Sequence, residues 1–274
     1  MPELPEVETI RRQLDPALAN AEITGADSHW SDKFNPALDA VGSTILGVRR
    51  RGKYLIFDLH DDHELIAHLG MTGSFHVIEA AEPHEPNLDD HGAYARAVWS
   101  FADGRELLFN DTRRFGRLRV VSAGDYRDIP TLRQMGPEPL GEDFTGASLH
   151  AATKASSRAI KTQLLSQRPV SGVGNIYADE ALFLARIDPR ARRVGRERCD
   201  RLAQTIKDVL ATGIDNGGTT LRDYVNVDGD AGENQHSLLA YGRGGEPCVT
   251  CGDPLSSCVL DARTTTFCRN CQKR

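Results

Sequence analysis

The sequence has no run of 18 apolar residues, so no segment of it is predicted to cross a membrane as a helix. Its first 30 residues carry Glu3, Glu6, Glu8 and Asp15 and lack an apolar segment, so they are not expected to act as a secretory leader. A cytoplasmic protein is therefore expected. Internal repeats and low-complexity tracts are missing, so a repeat architecture is excluded. Net positive charge is missing too. The formal charge is −6, a balance that by itself argues against a nucleic-acid partner. Nor do Asp, Glu and His cluster as they would around an open metal ion, which leaves a metal-dependent nuclease without a seat.

What is present is patchy. The 274 residues are 39% hydrophobic and 26% charged, a globular composition long enough for two domains. Positive charge is concentrated in VRRRGK (48–53), in NDTRRFGRLRV (110–120, four Arg against Asp111) and in 186–201 (seven Arg against three acids). Acids gather elsewhere, as Glu79, Glu82, Glu85, Asp89 and Asp90 without an intervening Lys or Arg. Basic segments of this kind can still build a local face for a polyanion.

Val7, Ile10, Leu14 and Leu18 recur at helical spacing, predicting an amphipathic helix over 5–19 with Pro5 in its first turn. Strand-like runs follow: TILGVRRRGKYLIFDL, ELIAHLGM, SFHVI and GRLRVVS. ARAVWSFADGRELLFND reads as a hairpin turning at Asp103-Gly104. The Pro- and Gly-bearing stretch 131–144 reads as a connection, and the period beyond it is helical. Helices are predicted around Ile160–Leu165, in NIYADEALFLA and in CDRLAQTIKDVLATGI. The polar, Gly-rich segment DNGGTTLRDYVNVDGDAGENQ is long for a structureless loop, and such loops usually carry function.

The most specific signal is the pair of CxxC knuckles, Cys248–Cys251 and Cys268–Cys271, with 16 residues between them. Each knuckle can grip one side of a tetrahedral Zn²⁺, and four thiolates close the coordination sphere, so the metal is structural. Cys199 and Cys258 stand apart. The glycines of RPVSGVGN place Asn175 at a helix start, where outward N–H groups suit a phosphate, although an ordinary Asn cap explains the same residues. In NDTRRFG, Phe115 beside two Arg reads either as a wedge for a duplex or as a core residue at a hairpin end. Met71 in HLGMTGS reads as core filler. Removal of Met1 would expose the Pro2 secondary amine, which is less basic than a Lys side chain and can attack an electrophilic carbon, with Glu3 beside it to move protons.

These segments together resemble the formamidopyrimidine-DNA glycosylase / endonuclease VIII family, in its branch acting on 8-oxoguanine. The resemblance spans nearly the whole chain. It rests on MPELPEVETIRR, RRRGKYL, HLGMTGS, NDTRRFG, MGPEPL, VSGVGNIYADEALF, GGTTLRDY, AYGRGGEPC and the CxxC-x16-CxxC ending. It implies an α+β fold of two domains: an N-terminal β-sandwich with flanking helices over 1–130, a linker over 131–145, and a helix–two-turn–helix domain with a lesion-recognition loop over 146–239. A zinc-finger β-hairpin over 240–274 completes it. It implies a bifunctional enzyme that flips an oxidised purine out of duplex DNA and cleaves its glycosidic bond through an imine on Pro2. It then cuts the strand at the abasic site by β,δ-elimination.

The same resemblance assigns roles by position. Pro2 is the nucleophile, Glu3 the proton carrier at the sugar, and Lys53 the residue for β-elimination and phosphate contact. Arg263 serves δ-elimination and phosphate binding. Asn175 holds a phosphate, with weaker contacts from His68 and Tyr241. Met71, Arg113 and Phe115 fill the space left by the extruded base, and Thr219, Thr220 and Arg222 lie in the loop that closes over it. One DNA-contacting His of the family does not align cleanly: His91, Tyr94 and Arg96 compete for it. Cys248, Cys251, Cys268 and Cys271 hold one structural zinc. Double-stranded DNA carrying oxidised purines or abasic sites is the implied partner, of a monomer. The rival readings are an endonuclease VIII-like enzyme for oxidised pyrimidines, against which Met71, Arg113 and Phe115 argue, and a non-catalytic zinc protein that binds damaged DNA, against which the Pro2, Glu3, Lys53 and Arg263 set argues.

Overall fold

A computed structural model describes residues 1–79 and 85–274; Glu82 of the acidic stretch lies outside the described residues. The chain opens on helix α1 (Leu4–Leu18), whose Val7, Ile10, Leu14 and Leu18 are buried as their spacing predicts. Strand β1 (Ile23–Ser28) follows, a segment too polar in sequence to announce itself. Then come β2 (Ile45–Arg51), β3 (Tyr54–Leu59), β4 (His63–His68), β5 (Gly73–Ile78), β6 (Ala95–Phe101), β7 (Glu106–Asp111) and β8 (Arg117–Ser122). They form two four-stranded antiparallel sheets, ordered β1-β6-β7-β5 and β2-β3-β4-β8. Between the sheets and under α1 lies one core that includes Phe57, Phe75, Trp99, Phe101 and Phe109. The β6–β7 hairpin turns through Gly104 at φ +88°, a backbone that glycine adopts without steric cost. β6 is buried on both faces, because Ala95, Val98 and Leu108 are capped by Leu88 of a one-turn helix (Leu88–His91). The short helix α2 (Pro130–Arg133) ends the sandwich segment.

By internal contacts the chain forms two units. The first comprises Met1–Leu132 together with Asn216–Glu233, and the second comprises Arg133–Asp215 together with Asn234–Arg274. The second unit is helical: α3 (Gly146–Thr153), α4 (Ile160–Leu165), α5 (Asn175–Leu184) and α6 (Arg196–Asp215), ending in the hairpin β9 (Ser256–Leu260) and β10 (Arg263–Phe267). Helix α3 escapes a periodicity search because it is only about two turns long, but its start is marked by Thr145, whose hydroxyl accepts the Ser148 amide. Cys199 is part of the buried face of α6. Among the described residues no helix is long and apolar enough to cross a membrane.

Candidate functional site

In the first unit the chain terminus is built in rather than frayed. Pro2 is buried, and Glu3 and Glu6 are 2% and 1% exposed. The Glu6 carboxylate accepts the Glu3 amide at 2.7 Å with one oxygen, the reach-back of a capping box. Its other oxygen accepts the Thr219 amide at 2.7 Å. One side chain thus ties the start of α1 to the Gly-rich loop 216–233. Tyr224 of that loop donates to the Gly217 carbonyl, and burial followed by the nearby Glu6 charge pushes its phenol well above the usual range. Gly218 sits at φ +90°, and a Cβ there would lie 2.9 Å from the Glu6 side chain and the Tyr224 ring, so the approach requires glycine. Thr219 is buried, Thr220 fastens the loop by donating to the Tyr224 carbonyl and accepting the Gly232 amide, and Arg222 is exposed. Gln13 of α1 accepts the Val227 amide and donates to Asp228, so even the acidic end of the loop is held. Glu6 was not singled out from sequence. The only available signal was its spacing of three from Glu3.

Lys53 is the second residue of the two-residue β2–β3 turn and is 8% exposed. Arg50, two residues before Gly52, donates to the Gly52 carbonyl and pairs with Glu8 of α1 at 3.0 Å. Burial pushes the Glu8 carboxyl up, but the Arg11 and Arg50 guanidinium groups outweigh it and hold it below its ordinary value. His68, at the end of β4, packs its ring 4.8 Å from Tyr54. Burial, then the positive charges of Lys53 and Arg117, lower it to about 4, so its imidazole is neutral at pH 7. Its Nδ1 accepts the Gly70 amide, which fixes the proton on Nε2.

Met71, Arg113 and Phe115 belong to two loops that one buried carboxylate joins. Asp111, with no exposure, accepts the Thr72 hydroxyl at 2.5 Å and the Gly116 amide at 2.6 Å, while Thr72 accepts the Arg113 amide at 3.1 Å. Gly70 at φ +62° lets the loops close, since a Cβ there would stand 2.4 Å from the Phe115 carbonyl carbon. Phe115 is 47% exposed with the Arg113 guanidinium 4.9 Å above its ring, so it is a surface residue and not a core one. Of the three competing side chains near 91–96, Arg96 is buried and donates to the carbonyls of Ala93, Ala95 and Asp111. His91 pairs with Glu106 at 3.1 Å, and Tyr94 is 58% exposed.

In the second unit Gly174 is the cap of α5 and Asn175 its first residue. The Asn175 amide donates to the Thr264 carbonyl, which brings it beside Arg263 at the start of β10, and its buried Oδ1 has no partner among the described residues. Arg263 is exposed and follows a two-residue turn, Asp261-Ala262, with φ of +47° and +58°. Beneath them Lys161 of α4 and Asp179 of α5 form an ion pair at 2.6 Å, 0% and 1% exposed. Lys161 also donates to Thr265, and Asp179 accepts the Thr266 amide, so the pair bolts β10 to both helices. Burial raises Asp179 to about 6 against the opposing pull of Lys161. Tyr241 is set by Glu180, whose carboxylate accepts the amides of Leu239, Ala240 and Tyr241 at 2.8, 2.9 and 2.7 Å. Sequence reasoning passed over Asp111, Lys161, Asp179 and Glu180, whose partners are mostly distant in the chain.

The sulfur atoms of Cys248, Cys251, Cys268 and Cys271 all lie within 4.8 Å of one another. Two pairs stand at 4.0 and 3.5 Å, bracketing the separation of about 3.8 Å that tetrahedral Zn²⁺ with bonds of about 2.3 Å imposes. The thiol set fits zinc. Cys258 lies on β9 opposite Thr265 and outside the cluster.

Comparison with known proteins covers all of these parts. Residues 1–118 match the model of the formamidopyrimidine-DNA glycosylase N-terminal domain, residues 135–225 that of the formamidopyrimidine-DNA glycosylase H2TH domain, and residues 245–274 that of the zinc finger found in FPG and IleRS. A protein of Deinococcus radiodurans named formamidopyrimidine-DNA glycosylase is 42% identical, over 99% of this chain and 97% of its own length. The protein of the same name from Thermus thermophilus is 44% identical, and a crystal structure of the MutM (Fpg) protein from that organism superposes with a TM-score of 0.88, covering 99% and 98% of the two chains. A Lactococcus lactis Fpg in complex with DNA containing an abasic site is 34% identical with a TM-score of 0.86, covering 99% of this chain and all of that one.

Proposed function

The chain belongs to the formamidopyrimidine-DNA glycosylase family, and from that premise we propose that it removes oxidised purines from duplex DNA and cuts the strand at the abasic site, with the Pro2 amine as nucleophile. It does so as a cytoplasmic base-excision repair enzyme. The observation that carries the reading is the buried, hydrogen-bonded terminus: Pro2 is held against a helix start that Glu6 fastens to loop 216–233. Fixing a nucleophile this way supplies orientation that a frayed terminus lacks.

With Met1 removed, Pro2 is a secondary amine with a basicity near pH 8, partly unprotonated at neutral pH. Its lone pair attacks C1′ of the extruded nucleotide, the bond to the base breaks, and the base leaves with a proton. Glu3 donates and accepts protons at the sugar. The C1′–O4′ bond of the aminal so formed then breaks as O4′ takes a proton, and the open-chain iminium withdraws electrons from C2′, whose proton becomes acidic. Its removal breaks the bond to the 3′ phosphate, and a second elimination breaks the bond to the 5′ phosphate.

Lys53 carries a proton in the first elimination and meets a phosphate, and Arg263 serves the second. Asn175, His68 and Tyr241 hold phosphates, His68 as a neutral donor through Nε2. Met71, Arg113 and Phe115 occupy the space the base vacates, offsetting the few kcal/mol of unstacking. Thr219, Thr220 and Arg222 face the extruded base. Zinc, bound by the four cysteines, supplies the cross-link that gives the small hairpin a fixed shape and keeps Arg263 in place.

The test is borohydride trapping on a duplex with one 8-oxoguanine opposite cytosine. A covalent band that Pro2→Gly weakens strongly is expected. Unchanged trapping in Pro2→Gly, or no band on a duplex that is bound, would sink the mechanism.

A further inference from the structure

Residues 29–34 connect β1 to a short 3-10 helix (Asn35–Ala40), and Trp30 within them is 81% exposed. Exposure of this degree withholds the largest apolar side chain from the core, and the loop is not loose enough to excuse it. The His29 amide donates to the Arg96 carbonyl, the Ser31 amide to His29 Nδ1 and the Phe34 amide to the Ser31 carbonyl, while Phe34 itself is fully buried. Trp30 is therefore held outward. Its indole stacks on the His29 ring, centroids 5.1 Å apart and planes 29° apart, leaving the outer face of the indole bare.

The same loop is fastened to the segment that carries Arg113 and Phe115. Lys33 Nζ donates to the Arg114 carbonyl at 2.8 Å, the Leu118 amide donates to the Lys33 carbonyl at 2.8 Å, and Arg119 donates to the Asp32 carbonyl. Charged side chains on this joined rim are Lys33, Arg113, Arg114 and Arg119 against Asp32. The field is felt locally: burial, then Arg114 and Arg96, push His29 below its ordinary value. A bare aromatic face on a cationic rim matches a polyanion that offers flat, stackable surfaces.

We propose that Trp30 is a DNA-binding residue that packs against the duplex flank next to the site filled by Phe115, extending the contact surface beyond the wedge. The proposal rests on the reading of Arg113 and Phe115 as duplex-facing residues.

The chain has two tryptophans, and the other, Trp99, is fully buried. Emission that acrylamide can quench therefore belongs to Trp30. The zinc-loaded full-length protein is titrated with a 20-base-pair duplex carrying a tetrahydrofuran abasic analogue opposite cytosine, which it binds but does not cut by elimination. The expected result is a several-fold fall in acrylamide quenching on saturation. Trp30→Ala is expected to weaken binding about tenfold, and Trp30→Phe, which keeps a stacking face, by threefold or less.

Quenching that persists unchanged in a complex that Phe115→Ala still weakens overturns the proposal alone. Unchanged quenching with a Phe115→Ala complex of full affinity overturns it together with the wedge reading. Protection of Trp30 that grows with protein concentration without DNA would assign the ring to a second copy of this chain and overturn the proposal as well.

Discussion

Replacing Lys161 by Met tests how β10, the strand that opens on Arg263, is held to α4 and α5. Lys161 and Asp179 are fully buried partners, and between them they also satisfy Thr265 and Thr266 of β10. Removing one member of such a pair leaves a buried charge without compensation, at a cost of about 3–5 kcal/mol. Asp179 can relieve part of this by taking a proton, because burial already raises it to about 6 with Lys161 in place. Without the cation it rises further, and the sign of the pH dependence follows. A carboxyl raised above its unfolded value favours folding most at low pH and loses that advantage as pH climbs through the folded value. The deficit of Lys161→Met should therefore be small near pH 6 and grow toward pH 8, by up to about 1.4 kcal/mol per pH unit. Lys161→Met/Asp179→Leu removes both charges and flattens this dependence. It retains a loss of about 2 kcal/mol, since the Thr266 amide loses its acceptor and the Thr265 hydroxyl, which keeps the Arg263 carbonyl, loses its Lys161 donor. The assay is urea unfolding followed by ellipticity at 222 nm, because both tryptophans lie in the first unit and do not report on the second. A single-variant deficit below about 1 kcal/mol at pH 8, or one independent of pH, would refute the reasoning.

Asp111→Ala strips the acceptor from the buried Gly116 amide and from Thr72, so it should cost about 2–4 kcal/mol in thermal unfolding and weaken duplex binding. Asp111→Asn, which keeps an acceptor for Gly116, should recover part of both. Ala262→Gly places glycine at a left-handed position of the β9–β10 turn and should stabilise the second unit by about 0.5–1 kcal/mol, read as a higher urea midpoint at 222 nm. His68 stays neutral in the fold down to about 4 while an unfolded His protonates near 6.5, so stability should fall as pH drops through that window, by at most about 3 kcal/mol. Unfolding of His68→Asn followed by tryptophan emission should show a correspondingly flatter pH profile; an equally steep one counts against His68.

Local order was legible in the sequence wherever a short-range rule governs it. The 3.6 period exposed α1, alternation and Asp103-Gly104 exposed the β6–β7 hairpin, and two CxxC spacings named the zinc ligands before any geometry. Those signals are carried by neighbours in the chain, and their physics is complete within a few residues. Strand β1 was invisible because its Thr, Gly, Asp and Ser are held by pairing with β6, far along the chain. Phe115 and Met71 looked equally fit for a core; only the closure of two loops on Asp111 decided that Phe115 faces outward. His91, Tyr94 and Arg96 likewise look alike in the sequence, and only tertiary contacts seat Arg96 on three carbonyls, pair His91 with Glu106 and leave Tyr94 exposed. By itself the sequence determined which chemical groups the protein owns and the local elements that present them. The tertiary structure alone decided which groups meet, since Glu6 with Thr219 and Lys161 with Thr265 are 213 and 104 residues apart, and a contact at that separation has no signature in local spacing.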